Sequence, residues 1–174
     1  MMARLGLVVP WYGASIPGGA EAACRALARA LQAAGADVEV LATCVREFAS
    51  DWNENFHAAG ATLEDGIPVR RFRVRRRDTA AFDAVNRKFA RGVVPSIPDQ
   101  EIYLRESVRS LALCEFLDRH RVEYVYLFLP YMFGTTFDGV ELCGERSVLI
   151  PCLHDEPQAR IALLPSMFER ARGV

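Results

Sequence analysis

The segment Pro151–Pro157, with the sequence Pro-Cys-Leu-His-Asp-Glu-Pro, contains the strongest candidates for acid–base chemistry. In it, His154 is followed directly by the carboxylates of Asp155 and Glu156. A histidine in such a setting can transfer protons or form charged hydrogen bonds near neutral pH. We therefore predict a catalytic or substrate-orienting role for His154. The alternative is a loop histidine that is bonded to the backbone.

Cys152, His154 and Asp155 could also be part of a metal site, but their spacing matches no established ligand pattern. Asp155 and Glu156 are adjacent and point apart in most backbone conformations, so they make a poor hydrolase pair. The sequence contains neither a GxSxG nor an HExxH motif. We therefore predict no metal site, and nothing indicates an esterase or a zinc peptidase.

Gly18 and Gly19 stand where a strand and a loop lead into a helical pattern. Without side chains at this point, a phosphate can approach the backbone N–H groups and the positive end of the helix. Gly13 and Gly18 have P-loop spacing, but Gly19 and Ala20 replace the required Lys and Ser/Thr. The pattern therefore predicts a phosphate site that does not belong to a P-loop NTPase. A flexible turn before a helix is the alternative.

A third segment, Pro130–Thr136, combines aromatic and hydroxyl side chains after a strand. Tyr131 and Thr135 could line a pocket for a sugar or another polar ligand. The alternative is that these residues belong to the core and to a helix cap.

Six arginines lie between Arg70 and Arg77. If Val69–Arg77 is a strand, one of its faces carries Arg71, Arg73, Arg75 and Arg77. A solvated face is the simplest interpretation, and binding of anionic lipid headgroups or of an anionic acceptor is the alternative. Because the net charge is −1, the composition does not indicate a protein that binds nucleic acid.

Strands and helices alternate along the chain in the hydrophobic pattern. The predicted strands are Leu5–Val9, Val38–Ala42, Val69–Arg75, Glu123–Leu129 and Val148–Ile150, and the predicted helices are Gly18–Ala34, Ala80–Arg91, Asp99–His120 and Ala159–Arg172, with Asp51–Gly66 a loop or short helix. This order predicts an α/β fold with a doubly wound, mostly parallel, Rossmann-like sheet and helices on both faces. Ligands of such sheets bind at the carboxyl ends of the strands, where Trp11–Gly19, Pro130–Thr136 and Pro151–Pro157 should meet.

The composition is that of an ordinary folded domain, with 174 residues, 51% of them hydrophobic and 25% charged. The five cysteines are an odd number without a CxxC motif, which favours a reducing compartment. No apolar segment is long enough for a membrane-spanning helix.

Together and in order, these segments resemble the N-terminal domain of a retaining GT-B glycosyltransferase of family 4. The matching segments are Pro10–Tyr12, Gly18–Glu21, Leu41–Phe48 with Trp52–Asn53, Asp65–Phe72, Pro130–Tyr131 with Thr135–Thr136, and Leu153–Pro157. The resemblance covers nearly the full chain. It is supported by the order of the whole set of segments and not by any single motif.

The resemblance implies a transferase that moves a sugar from a nucleotide-sugar, without metal or other cofactor and with retention, to a glycan, lipid-linked sugar or small molecule. It places Gly18 and Gly19 against the donor diphosphate and His154 on the donor sugar as the catalytic-site histidine. The further substrate-binding residues that it implies are Tyr131, Thr135 and Asp155.

The resemblance also implies that residues 1–174 form one Rossmann-like, acceptor-side domain, half of a GT-B architecture, and that the C-terminal donor domain is absent. The chain alone is then expected to be inactive. Expected locations are the cytoplasm and, through Arg70–Arg77, the inner membrane face, with a role in cell-envelope polysaccharide synthesis. A dinucleotide oxidoreductase is disfavoured because the sequence lacks GxGxxG. The alternative function is a standalone, non-catalytic module that binds a sugar or a lipid headgroup.

Overall fold

The computed structural model describes residues 4–174, which form a six-stranded sheet and six α-helices. The strands are β1 (Arg4–Val9), β2 (Val38–Thr43), β3 (Gly60–Glu64), β4 (Ile67–Phe72), β5 (Tyr124–Phe128) and β6 (Ser147–Leu149). The helices are α1 (Gly19–Ala33), α2 (Thr79–Ala90), α3 (Ile97–Arg105), α4 (Leu111–Arg119), α5 (Gly134–Cys143) and α6 (Leu164–Arg170).

The strand order is β3-β4-β2-β1-β5-β6, and every neighbouring pair is parallel except β3 and β4. β1 lies near the centre, where both of its faces are covered, which explains its continuous apolar sequence. This is the doubly wound, mostly parallel, Rossmann-like α/β fold predicted from the alternation of elements.

The two faces of the sheet have separate cores. Leu7 and Val9 of β1 share one core with Cys24 and Ala28 of α1. Val8, which points to the opposite face, belongs to a larger core. That core takes side chains from the other helices: Phe82 of α2, Tyr103 of α3, Leu113 of α4, Val140 of α5 and Met167 of α6. The predicted placement of helices on both faces is therefore confirmed.

The predicted helix Asp99–His120 was wrong as a single element, because the chain breaks between α3 and α4. Ser110 starts α4 anew as its N-cap and accepts a hydrogen bond from Leu113 N at 3.2 Å. Ser107 accepts another from Gly134 N, also at 3.2 Å. The break thus allows polar side chains to satisfy the backbone of two helix ends.

Three other element predictions need correction. The predicted strand Val69–Arg75 ends at Phe72, and Asp51–Gly66, predicted to be a loop or short helix, contains β3, which pairs antiparallel with β4. The predicted final helix Ala159–Arg172 is a 3₁₀ turn at Pro157–Arg160 followed by α6. Pro165 lies in the first turn of α6, where its missing N–H is tolerated, so a new helix begins there.

Glu106 in the α3–α4 break leads to a pH-dependent prediction. Its carboxylate accepts hydrogen bonds from Arg105 Nε at 2.8 Å, Asp78 N at 3.0 Å and Arg75 Nη2 at 3.1 Å. Burial would raise the pKa of Glu106, but these three donors outweigh it and lower the pKa to about 2. The ionised form therefore stabilises the fold above the ordinary carboxyl pKa, and this contribution is lost as the pH falls toward 2.

We expect Glu106→Gln to lower the free energy of unfolding by about 1.5–3 kcal/mol near neutral pH. The difference from the parent should shrink as the pH falls from about 5 toward 2. Urea unfolding across this range measures it, with Glu115→Gln, on the exposed side of α4, as the control. A difference that is independent of pH would contradict the role assigned to the Glu106 carboxylate.

Candidate functional site

A cleft of about 430 Å³ opens at the carboxyl ends of the central strands. It is lined by Trp11 and Pro17–Glu21 after β1, Glu47–Ala49 after β2, Pro130, Met132 and Phe133 after β5, and Cys152, His154 and Glu156 after β6. The three segments predicted to meet at the strand ends therefore do meet. This is the position at which open α/β sheets bind ligands.

Aromatic side chains form the apolar part of the cleft. Trp11 is buried, and its ring centroid lies 5.1 Å from that of Phe133, 5.8 Å from Trp52 and 5.9 Å from Phe48. Phe48 is 60% exposed although it also contacts Trp52, so it forms an open aromatic edge. The cleft thus offers aromatic and apolar surface to the ring of a ligand.

The N-terminus of α1 points its free backbone amides toward the cleft. Gly18 is the N-cap, with φ at +128°, and no side chain within residues 4–174 caps this helix end. The first helical hydrogen bond runs from Ala22 N to Gly18 O at 3.1 Å. The amides of Gly19 and its two successors therefore remain available to a ligand.

The carboxylate of Glu21 lies over Gly18 at this helix end. Trp11 Nε1 donates a hydrogen bond to Glu21 Oε1 at 2.5 Å. A Cβ atom at residue 18 would overlap Glu21 Oε2, so the carboxylate occupies space that only glycine leaves free. A negative charge thus lies beside the α1 amides, where the helix dipole favours it.

Two arginines fix the loop between β1 and α1. Arg25 donates to Gly13 O at 3.2 Å and to Ile16 O at 2.9 Å. Arg71, whose side chain is buried, donates to Tyr12 O at 2.7 Å and pairs with Glu64 at 2.6 Å. The loop is therefore tied both to α1 and to the β3–β4 edge, and it holds the glycines in place.

His154 lies exposed on the other side of the cleft, two residues before Glu156. Glu156 N donates to His154 O at 2.9 Å, and Tyr131 Oη donates to Glu156 Oε1 at 2.8 Å. Burial raises the pKa of Tyr131, and the hydrogen bond to Glu156 raises it further. Tyr131 is therefore a neutral donor that orients Glu156.

The predicted site residues divide into two groups. Gly18, Gly19 and His154 line the cleft. Tyr131 is fully buried and reaches the cleft only through Glu156, while Thr135 is buried in the first turn of α5. Asp155 is exposed and pairs with Arg160 at 3.2 Å, away from the cleft wall.

Sequence reasoning missed the contribution of the segment after β2. Glu47 and Phe48 line the cleft, although they were singled out only as part of a longer resemblance. Applying the strand-end rule to β2 as well would have identified them. Met132 and Phe133, within a segment that was identified, also line the cleft.

The ionisable side chains lining the cleft are those of Glu21, Glu47, Glu156, His154 and Cys152, and no Lys or Arg is among the lining residues within 4–174. Burial raises the pKa of the Cys152 thiol, and the negative charge of Glu21 raises it further. Residues 4–174 contain no group of three or more His, Cys, Asp or Glu placed to hold a metal ion. The cleft is therefore apolar and electronegative.

The arginine cluster does not form the single solvated face that a longer strand would give. Arg70 donates to Glu39 at 2.9 Å, Arg71 is buried, and Arg75 bonds to Glu106. The guanidinium of Arg77 lies 4.6 Å from the ring centroid of Trp52. Most of these cations therefore have partners within the fold.

Within residues 4–174, no helix has the length and apolar character needed to span a bilayer. Comparison of the chain with protein-family models, curated proteins and solved structures finds no match.

Proposed function

We propose that this chain is the N-terminal, acceptor-side domain of a retaining GT-B glycosyltransferase similar to family 4. The observation that carries the proposal is the cleft itself. The cleft is lined by the free backbone amides at the start of α1, next to Gly18 and Gly19, and by His154, which follow the ends of β1 and β6 respectively. A nucleotide-sugar needs both features, an anion site for its diphosphate and a polar group for its sugar.

In this proposal, the amides at the start of α1 stabilise the charge that develops on the departing diphosphate. His154 forms a hydrogen bond to the donor sugar and orients it. The carboxylate of Glu21 lies over Gly18, so it turns away from the helix end when a diphosphate binds there. No step requires a metal or a cofactor other than the nucleotide-sugar.

In this proposal, the sugar is transferred in the cytoplasm to a glycan, a lipid-linked sugar or a small-molecule acceptor. All five cysteines are free, which suits a reducing compartment. The nucleotide and most donor contacts belong to a second domain, so this chain alone is expected to bind weakly and not to turn over. Repeated turnover of a nucleotide-sugar by the purified chain would contradict this division of roles.

Gly19→Leu tests the diphosphate site. Residue 19 has open space around its Cβ position, so the variant should fold normally while its side chain covers the α1 amides. We expect the affinity for uridine or guanosine diphosphate to fall at least about tenfold. Titrations followed by ¹H–¹⁵N NMR measure it, and in the parent the amides of Gly19 and Ala20 should shift.

Ala33→Leu is the control, since it places the same leucine side chain at the exposed far end of α1. It should leave diphosphate binding unchanged. A Gly19→Leu variant that binds like the parent would remove the phosphate role. It would leave the alternative of a non-catalytic sugar- or headgroup-binding module, which has no need for these glycines.

A further inference from the structure

The walls of the cleft suit a ligand with both an apolar ring face and a positive charge. Trp11, Phe48 and Phe133 line the cleft, and Phe48 is 60% exposed and offers an open ring, whereas Trp11 and Phe133 are buried. Aromatic faces pack against rings, and they also attract cations within about 6 Å of their centroid. A cavity of about 430 Å³ is large enough for a monosaccharide.

Two of the three carboxylates that line the cleft, Glu21 and Glu156, form no ion pair with an arginine or lysine within residues 4–174. Glu21 accepts its hydrogen bond from the indole of Trp11, and Glu156 accepts its bond from the hydroxyl of Tyr131. Both donors are neutral, so they orient the carboxylates without compensating their charge. Among the three lining glutamates, Glu47 is the one that forms an ion pair within residues 4–174, with Arg46 at 3.5 Å.

This arrangement discriminates among sugars. A neutral hydroxyl forms a hydrogen bond to a carboxylate that is only slightly more favourable than its hydrogen bond to water. An ammonium group gains a charge-assisted hydrogen bond inside a partly desolvated cleft, which is the stronger interaction. The carboxylates would repel a sugar that carries an acid group.

We infer that the sugar bound in this cleft is an amino sugar, with its free ammonium group held by Glu21 and Glu156 beside the aromatic wall. The inference rests on the proposed function and narrows its substrate class. It also accounts for Glu21 near the diphosphate site. An ammonium bound to Glu21 lowers the repulsion that this carboxylate exerts on a diphosphate at the start of α1.

The test is a set of NMR titrations of the 174-residue chain at neutral pH and constant ionic strength. The probes are D-glucosamine, D-glucose, N-acetyl-D-glucosamine and choline. The three sugars share one ring, and only glucosamine carries a charge. We expect glucosamine to bind at least about tenfold more tightly than either neutral sugar, with shifts at the Trp11 indole N–H and at Phe48.

Two variants locate the effect. Glu21→Gln and Glu156→Gln each keep an acceptor oxygen for their neutral donor but remove the charge. Each should reduce glucosamine affinity about fivefold to tenfold and leave the weak binding of glucose unchanged. Glu21→Gln should also strengthen binding of uridine diphosphate, whereas the exposed control Glu115→Gln should alter neither ligand.

The outcomes separate this inference from the proposed function. Equal binding of glucosamine and glucose would overturn the ammonium site and leave a sugar-binding domain. Choline binding as tightly as glucosamine would overturn the assignment to a sugar. If none of the four probes binds at tens of millimolar, the amino-sugar inference is wrong, whatever the separate diphosphate titration shows.

Discussion

Gly139→Ala is expected to lower the free energy of unfolding by about 2–3 kcal/mol. Gly139 lies in α5 and faces the ring of Phe128 in β5, and a Cβ at residue 139 would overlap that ring. Phe128 is fully buried and cannot turn away without disturbing the core. The helix propensity of alanine, which favours the variant by about 1 kcal/mol, is outweighed. Urea unfolding and a melting temperature lowered by about 5–10 °C measure the effect.

A double-mutant cycle with Phe128→Leu identifies the contact as the cause. In the Phe128→Leu background the added methyl group has room, so Gly139→Ala should cost much less there than in the parent. Gly19→Ala is the second control, because residue 19 has no neighbour within 4 Å of its Cβ position. Equal costs of Gly139→Ala in both backgrounds would contradict the packing of α5 on β5.

The same close packing explains why α5 was not predicted from the sequence. The helix contains Gly134 and Gly139 and begins with two threonines, residue types of low helix propensity. Its buried face includes glycine and threonine, and its less buried face includes Phe137 and Leu142, so apolar residues do not mark one side of the helix. The small residues that lower the helix propensity of this segment are the same residues that allow α5 to pack closely against the sheet.

The well-predicted elements are those with a clear hydrophobic signal. β1 and β2 are short apolar runs buried by neighbours on both sides, and α1 has one apolar stripe ending before Gly35. β3 gives no such signal, because it is an edge strand whose residues are largely exposed. Its position depends on pairing with β4, which is a tertiary property that local sequence does not contain.

Position at a strand end identified residues that line the cleft where the side chain or backbone faces outward. Gly18, Gly19 and His154 follow strands and line the cleft. Tyr131 also follows a strand, but its side chain turns into the core and donates to Glu156. The sequence indicates the edge of the sheet at which a residue lies, whereas the direction in which its side chain points depends on tertiary packing.

The two adjacent glycines of the cleft should respond very differently to alanine. Gly18 has φ at +128°, a conformation strained for any residue with a Cβ, and that Cβ would also overlap the Glu21 carboxylate. We expect Gly18→Ala to cost about 1–3 kcal/mol and Gly19→Ala to change stability by less than about 0.5 kcal/mol. Urea unfolding measures both. In Gly18→Ala the Trp11 indole N–H should also shift in NMR spectra, because its hydrogen bond to Glu21 is displaced.

This contrast separates what the fold requires from what a ligand would require. The backbone accounts for glycine at position 18, since the turn into α1 needs a positive φ there. Nothing in the described fold accounts for glycine at position 19, where helix propensity favours alanine and open space adjoins the free amides. If Gly19→Ala keeps its stability but weakens diphosphate binding, the open space at Gly19 serves the ligand. If it keeps both, an anion site does not require glycine at position 19, and Gly19→Leu remains the variant that tests the α1 amides.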